Sequence, residues 1–223
     1  MGCRFSALIT LTAAFLWSAD NIARAEIIHK TVERAYRVHG KSARDVAAYM
    51  RDRPFRGDNG PAIANIRARY SYDFKTKKDR NSCRAGRFRL RVNFTMTLPQ
   101  ATQQASFDRK TKRRWKSLQG FIRRHEGVHK KIYLSCARQM EREVKKLRLK
   151  VCQSLNREIG RIVREGKKAC EDKQRAFDRR ELRRLTNHGF FKQARAERDR
   201  NRRKLTAGAQ RDDHGRLLFY VSE

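Results

Sequence analysis

Hydrophobic positions change their period once along this chain, dividing it into a strand-rich first half and a helical second half. Residues 27–39 are β-type sequence, with Ile28, Val32, Tyr36 and Val38 on one parity and Gly40 breaking the run. Ser42-Ala43-Arg44-Asp45 has the form of a capping box and predicts a short helix through Met50. Gly57-Asp58-Asn59-Gly60-Pro61 predicts a turn. Ile66, Ala68, Tyr70, Tyr72 and Phe74 then alternate with polar residues, as in a half-buried strand. After a charged turn at 77–82, Phe88, Leu90, Val92, Phe94, Met96 and Leu98 alternate with Arg87, Arg89, Arg91, Asn93, Thr95 and Thr97. One face of that strand is core, the other is basic and wet, and Pro99 is expected to end it.

From about residue 105 the period is helical. Trp115, Leu118, Ile122, His125, His129, Ile132, Cys136, Met140, Val144, Leu147 and Val151 recur at steps of three or four. Leu155, Ile159, Ile162, Gly166, Cys170 and Phe177 continue on a similar stripe. No Pro or Gly marks 150–154, so the pattern admits one continuous helix or a hairpin that reverses near 153. The fold class is α+β: a small antiparallel sheet followed by a long helical hairpin. Residues 167–204 hold 15 Lys/Arg against 6 Asp/Glu with little apolar content, which predicts a solvated helix and then poorly ordered chain. The expected boundaries are a domain over 26–190 and a basic C-terminal tail over 191–223.

Residues 1–25 have the composition of a secretory signal peptide. Arg4 supplies a positive start, Phe5 to Trp17 an apolar core, and Ala23-Arg24-Ala25 a small-x-small cleavage site. That apolar run is too short to span a bilayer as a stable helix. A periplasmic or secreted location follows as an expectation. The cysteines fit it: Cys3 leaves with the leader, and Cys83, Cys136, Cys152 and Cys170 remain as an even set for two disulfides. If the helices form a hairpin about 153, Cys136 and Cys170 lie level, which leaves Cys83 to pair with Cys152.

Charge bounds the partners. The 223 residues carry 56 Lys+Arg and 23 Asp+Glu, a net charge of +33. Anionic envelope polymers or membrane surfaces will attract such a chain, with strong salt dependence. Few aromatics interleave the basic runs, so no specific nucleic-acid recognition is expected.

The sharpest motif is His125-Glu126-Gly127-Val128-His129, an HExxH pattern inside the helical stripe. On a helix the two imidazoles stand one turn apart and can bind one Zn²⁺, and the glutamate can act as general base. Glu126 itself falls off the apolar stripe. Ile132 and Ser135 replace the Gly and third His of the metzincin extension, so a third ligand must come from elsewhere. Candidates are Glu141, Glu143, Glu158 and Glu165, or His29, His39, His188 and His214; His188 stands out in the turn-forming group Asn187-His188-Gly189.

The chain resembles a bacterial family of predicted secreted zinc-dependent proteases that is classed as a domain of unknown function. The resemblance covers Tyr36-Arg37-Val38-His39-Gly40, the strand around Tyr70 and Tyr72, Cys83, Leu98-Pro99, Trp115, the HExxH motif, and Cys152 with Leu155-Asn156. It ends with Phe177-Asp178 and Thr186-Asn187-His188-Gly189. It implies a zinc metallopeptidase acting on a peptide or protein substrate, with His125, His129 and His188 as ligands and Glu126 as base. Asp178 would support the ligands without touching the metal. Phe177 stands where the family tends to have Tyr, and the chain is far more basic. The alternative expectation is a non-enzymatic basic envelope protein that binds glycans, lipids or nucleic acid through charge.

Cleavage of the leader makes Glu26 the first residue of exported protein. N-terminal sequencing of material from outside the cytoplasm checks it; an intact Met1 there refutes the leader.

Overall fold

The computed structural model describes residues 26–207 apart from Asn59. The expected leader over 1–25, the end of the expected tail and His214 lie outside the described residues. The chain runs β1 (Glu26–Val38), α1 (Ala43–Asp52), β2 (Phe55–Gly57), β3 (Gly60–Ala62), β4 (Asn65–Lys78) and β5 (Cys83–Ala101). It continues with α2 (Arg109–Lys146), α3 (Ser154–Thr186) and α4 (Gly189–Ala207). The class is α+β, as the change of period predicts.

The sheet has the order β1-β5-β4. β4 pairs antiparallel with β5, but β1 pairs parallel with it, so the small sheet is mixed rather than wholly antiparallel. Period two reports faces and not direction. β5, with the longest alternation, takes the centre because only there are both its edges paired. Pro99 does not end it: β5 runs on to Ala101. Pairing with β4 stops at Asn65↔Thr97, so Pro99 has a neighbour on one side only, where a missing N–H is tolerated.

Phe88, Leu90, Val92, Phe94 and Met96 are buried, as their alternation requires. They pack against Cys136, Ala137, Met140 and Val144 of α2 and Leu155, Ile159 and Cys170 of α3. The parity of β1 is different from the expected one. Ile28 and Val32 lie in register with Arg91 and Thr95 on the open face and are 38% and 44% exposed. Tyr36 and Val38 of the same parity are covered, because β2 reaches over that end and Tyr36 stacks on Phe55 at 4.9 Å.

Ser42 caps α1 as the sequence predicts, its hydroxyl accepting the Asp45 N–H at 3.2 Å. Gly40 precedes it at φ +142°, and a side chain there would meet the Val46 nitrogen at 2.6 Å. Asp108 caps α2 through the Thr111 N–H. Between α2 and α3 the chain breaks without Pro or Gly. Leu149 instead forms a two-residue bridge with Cys83, and Cys83 is joined to Cys152. The helices therefore form the hairpin, and Cys136–Cys170 joins them level, Cα to Cα 5.9 Å. Both expected disulfides are present. Gly166 sits where a Cβ would lie 2.5 Å from Met140 Cγ, so its missing side chain sets the close approach of the two helices.

The expected boundary at 190 falls inside the packing. α4 crosses it and closes a second core around Trp115, with Phe190 fully buried at 5.3 Å from the indole and Ala194 beside it. Gln193 Nε2 donates to Thr111 Oγ1 at 2.7 Å, and the Glu197 carboxylate accepts the Arg44 N–H at 2.8 Å. A few well-placed contacts dock this helix, which an average over a basic segment conceals. Phe190→Ala is expected to cost about 3–5 kcal/mol by emptying that core, read as a shift of the denaturant midpoint.

Candidate metal centre

The middle of α2 lies between the two cores, and there its buried stripe becomes polar. Ile122, Glu126, His129, Cys136 and Ala137 are all buried on it. Glu126, expected off the stripe, is only 4% exposed. It sits beneath the start of β4 and accepts the Ile66 backbone N–H. Burial pushes its carboxyl above the usual carboxylate range; His129, His125 and the Ile66 amide pull the other way but do not prevail.

His125 and His129 turn their Nε2 atoms toward each other at 3.1 Å. From α3, Asp178 Oδ1 reaches the same point, 2.8 Å from His129 Nε2 and 3.3 Å from His125 Nε2. Burial opposes ionisation of Asp178, but the two histidines outweigh it and hold the carboxyl well below its usual range. Burial likewise disfavours charge on His129, yet its bonds to Asp178 and Gln174 leave its pKa raised. The three residues form the group of metal-ligand type found among the described residues. Four-coordinate zinc with ligands near 2.0–2.2 Å needs donor atoms roughly 3.3 Å apart, and this set is close to that spacing.

No sequence motif marks the supports around the group. Gln174 is 2% exposed; its Oε1 lies 2.5 Å from His129 Nδ1, and its Nε2 donates to the His129 carbonyl at 3.2 Å. An Nδ1–H donated to that oxygen leaves Nε2 as the free lone pair. Gln174 stands four residues after Cys170 and four before Asp178, so a polar side chain on the buried stripe of α3 was the available signal. Phe177 walls both imidazoles, stacked on His125 at 4.8 Å and edge-on to His129 at 4.9 Å. His125 Nδ1 is buried and has no partner among the described residues.

His188 does not join the group. Its Nε2 lies 3.2 Å from Ser117 Oγ, its Nδ1 accepts the Phe190 N–H, and Phe121 packs on its ring. Ser117 is two helical turns before His125, about 12 Å along the axis. His188 serves the α3–α4 turn instead, and burial with Arg114 and Arg124 lowers its pKa. The glutamate candidates are also elsewhere: Glu141 pairs with Lys145, Glu143 with Lys146, and Glu158 and Glu165 with Arg161. His29 lies edge-on to Phe94, and His39 bonds Thr102.

The group opens on a cleft of about 310 Å³ between α2, α3 and the β2–β4 segment. Tyr133, Asp58, Glu181 and Leu182 line its rim with Ile63 and Asn65. Burial, with nearby carboxylates, pushes the Tyr133 phenol up to about 12, so it remains an O–H donor at neutral pH.

A profile described as "Bacterial protein of unknown function (DUF922)" matches residues 33–189, and the chain belongs to that family. No curated protein and no solved structure matches the chain. The match ends at Gly189, where α4 begins.

Gln174→Leu removes the acceptor that faces His129 Nδ1 among the described residues. Leaving that atom and the His129 carbonyl less satisfied is expected to cost about 1–3 kcal/mol, read by chemical denaturation with metal chelated away.

Proposed function

We propose that this DUF922 member is an exported zinc metallopeptidase in which His125, His129 and Asp178 hold one Zn²⁺ and Glu126 is the general base. The convergence of two imidazole nitrogens and a carboxylate oxygen on one point, beside a buried carboxylate, carries this reading. Asp178 takes the place that the family resemblance gave to His188. Three protein ligands would leave a fourth position for water or substrate, the mark of a catalytic rather than a structural zinc site.

Bound zinc supplies Lewis acidity toward a carbonyl and lowers the pKa of water toward neutrality. The chain's own groups supply the proton handling. Glu126, raised by burial, is a stronger base than an ordinary carboxylate and can take a proton and return it to a leaving amine. Gln174 fixes the His129 tautomer, and Phe177 restricts both rings. The Tyr133 phenol lines the cleft and would donate to a carbonyl oxygen of a bound peptide.

Export is supported by two disulfides, which persist in oxidising compartments, together with the leader-like composition of 1–25. No described helix is long and apolar enough to cross a membrane. The second reading, a non-enzymatic protein that binds anionic polymers, draws on the basic open face of the sheet.

The test separates the roles. Purified mature protein should carry one zinc by elemental analysis; His125→Ala, His129→Ala and Asp178→Asn should each lose most of it, while His188→Ala keeps it. Glu126→Gln should retain fold and zinc yet lower peptide hydrolysis by roughly 10²–10⁴-fold. Full hydrolysis by Glu126→Gln rejects the metallopeptidase. Zinc lost in His188→Ala and kept in Asp178→Asn returns the third ligand to His188.

A further inference from the structure

Helices cover one face of the sheet; the other carries a second chemistry. In register across it stand Lys30 and Arg34 of β1, Arg87, Arg89 and Arg91 of β5, and Arg67, Arg69 and Lys75 of β4. Two acidic positions stand in those rows: Asp73, held by Arg91 at 2.5 Å, and Glu26 at the first position of β1, in register with Arg89. Arg67 pairs with Asp58. Lys30, Arg34, Arg69, Lys75, Arg87 and Arg89 have no carboxylate partner among the described residues. At ordinary strand rise and spacing this face measures roughly 30 Å by 10 Å.

Two features decide what the face suits. The one aromatic of those rows, Tyr36, is covered by Phe55 and donates to the Ile63 carbonyl, and Ser71, Asn93, Thr95 and Thr97 are neutral polar members, so the open part of the face offers bases and sugar rings no stacking platform. What interrupts the charge is aliphatic. Ile28 and Val32, 38% and 44% exposed, stand side by side on the edge strand, flanking Lys30. Cations that meet lipid phosphates, with aliphatic side chains reaching past them, are the composition of an interfacial membrane-binding surface.

We infer that the open face of the β1-β5-β4 sheet binds an anionic lipid bilayer, with Lys30, Arg34, Arg69, Lys75, Arg87 and Arg89 on the phosphates and Ile28 and Val32 inserted at headgroup depth. The surface is independent of the candidate metal centre, which opens between α2 and α3 on the helical side. Docked this way, the protein keeps its cleft toward the aqueous phase.

Flotation of the mature chain with vesicles tests it. Binding to phosphatidylcholine–phosphatidylglycerol vesicles should be strong at low salt, and binding to pure phosphatidylcholine weak. Because the whole chain is basic, the informative comparison is between variants of equal charge. Arg69→Glu/Arg87→Glu/Arg89→Glu should weaken vesicle binding at least tenfold. Arg164→Glu/Lys167→Glu/Lys168→Glu, on the exposed side of α3, should change it by no more than about threefold. Ile28→Ser/Val32→Ser should weaken vesicle binding several-fold while leaving the salt needed to elute from heparin unchanged. Equal losses in the two charge variants overturn the proposal, as does an Ile28/Val32 variant that binds vesicles like the wild type. Loss of heparin or DNA retention without loss of vesicle binding assigns the face to a polymer instead. Acetylation of Lys30 and Lys75 in the wild-type chain, with and without vesicles, needs no variant to fold. Protection of both lysines supports docking by this face, and unchanged labelling refutes it.

Discussion

A carboxylate and an imidazole buried in the middle of a hydrophobic helix are costly, and the arrangement around α2 offsets that cost. Ionisable groups leave water only when other groups replace it. Glu126 receives the Ile66 amide at the start of β4, and His129 receives Gln174 and Asp178 from α3. The partners come from β4 and α3, so sheet, α2 and α3 must be docked in one relative position for the polar cluster to be tolerated. The two cores on either side supply the docking. One clamps α2 between β5 and α3, and the other seals its N-terminal half with Trp115, α1 and α4.

The crosslinks act on the same joint. Cys136–Cys170 ties α2 to α3 two turns beyond His129, where Gly166 allows the close approach. In the chain-entropy account a bridge closing a loop of this length contributes about 4 kcal/mol. Its position matters more than its size here, because it fixes the axial register that brings Asp178 level with the two histidines. Cys83–Cys152 anchors the turn between the helices to the start of β5. The chain thus ties both ends of the hairpin's reversal before the polar cluster is reached.

Charge is distributed unevenly over this framework. The cleft beside the candidate centre gathers Asp58, Glu126, Asp178 and Glu181. The opposite side of the sheet gathers lysine and arginine. A chain of net charge +33 therefore presents an acidic cleft on one side and a basic plane on the other. Such an asymmetry would orient the molecule at an anionic surface before any specific contact forms.

The sequence by itself determined the class of fold, the capped start of α1, the inward face of β5, both disulfides and the two imidazoles at positions 125 and 129. Those follow from short-range periodicity, or from counting along one helix and its return, where spacing in sequence maps directly onto spacing in space. Only the tertiary structure decided the rest. The parallel seat of β1 beside β5, and with it the exposure of Ile28 and Val32, depends on which strand takes the centre, and period two carries no direction. The docking of α4 rests on Phe190, Gln193 and Ala194, too few to mark a stripe. Asp178 rather than His188 meets the histidines because helical phase and the closeness of α2 and α3 fix where each side chain ends. A residue's place in a turn-forming motif says nothing of that distance. Glu126 lies buried for the same reason: a helix packed on two sides hides a wider arc than its apolar residues alone outline.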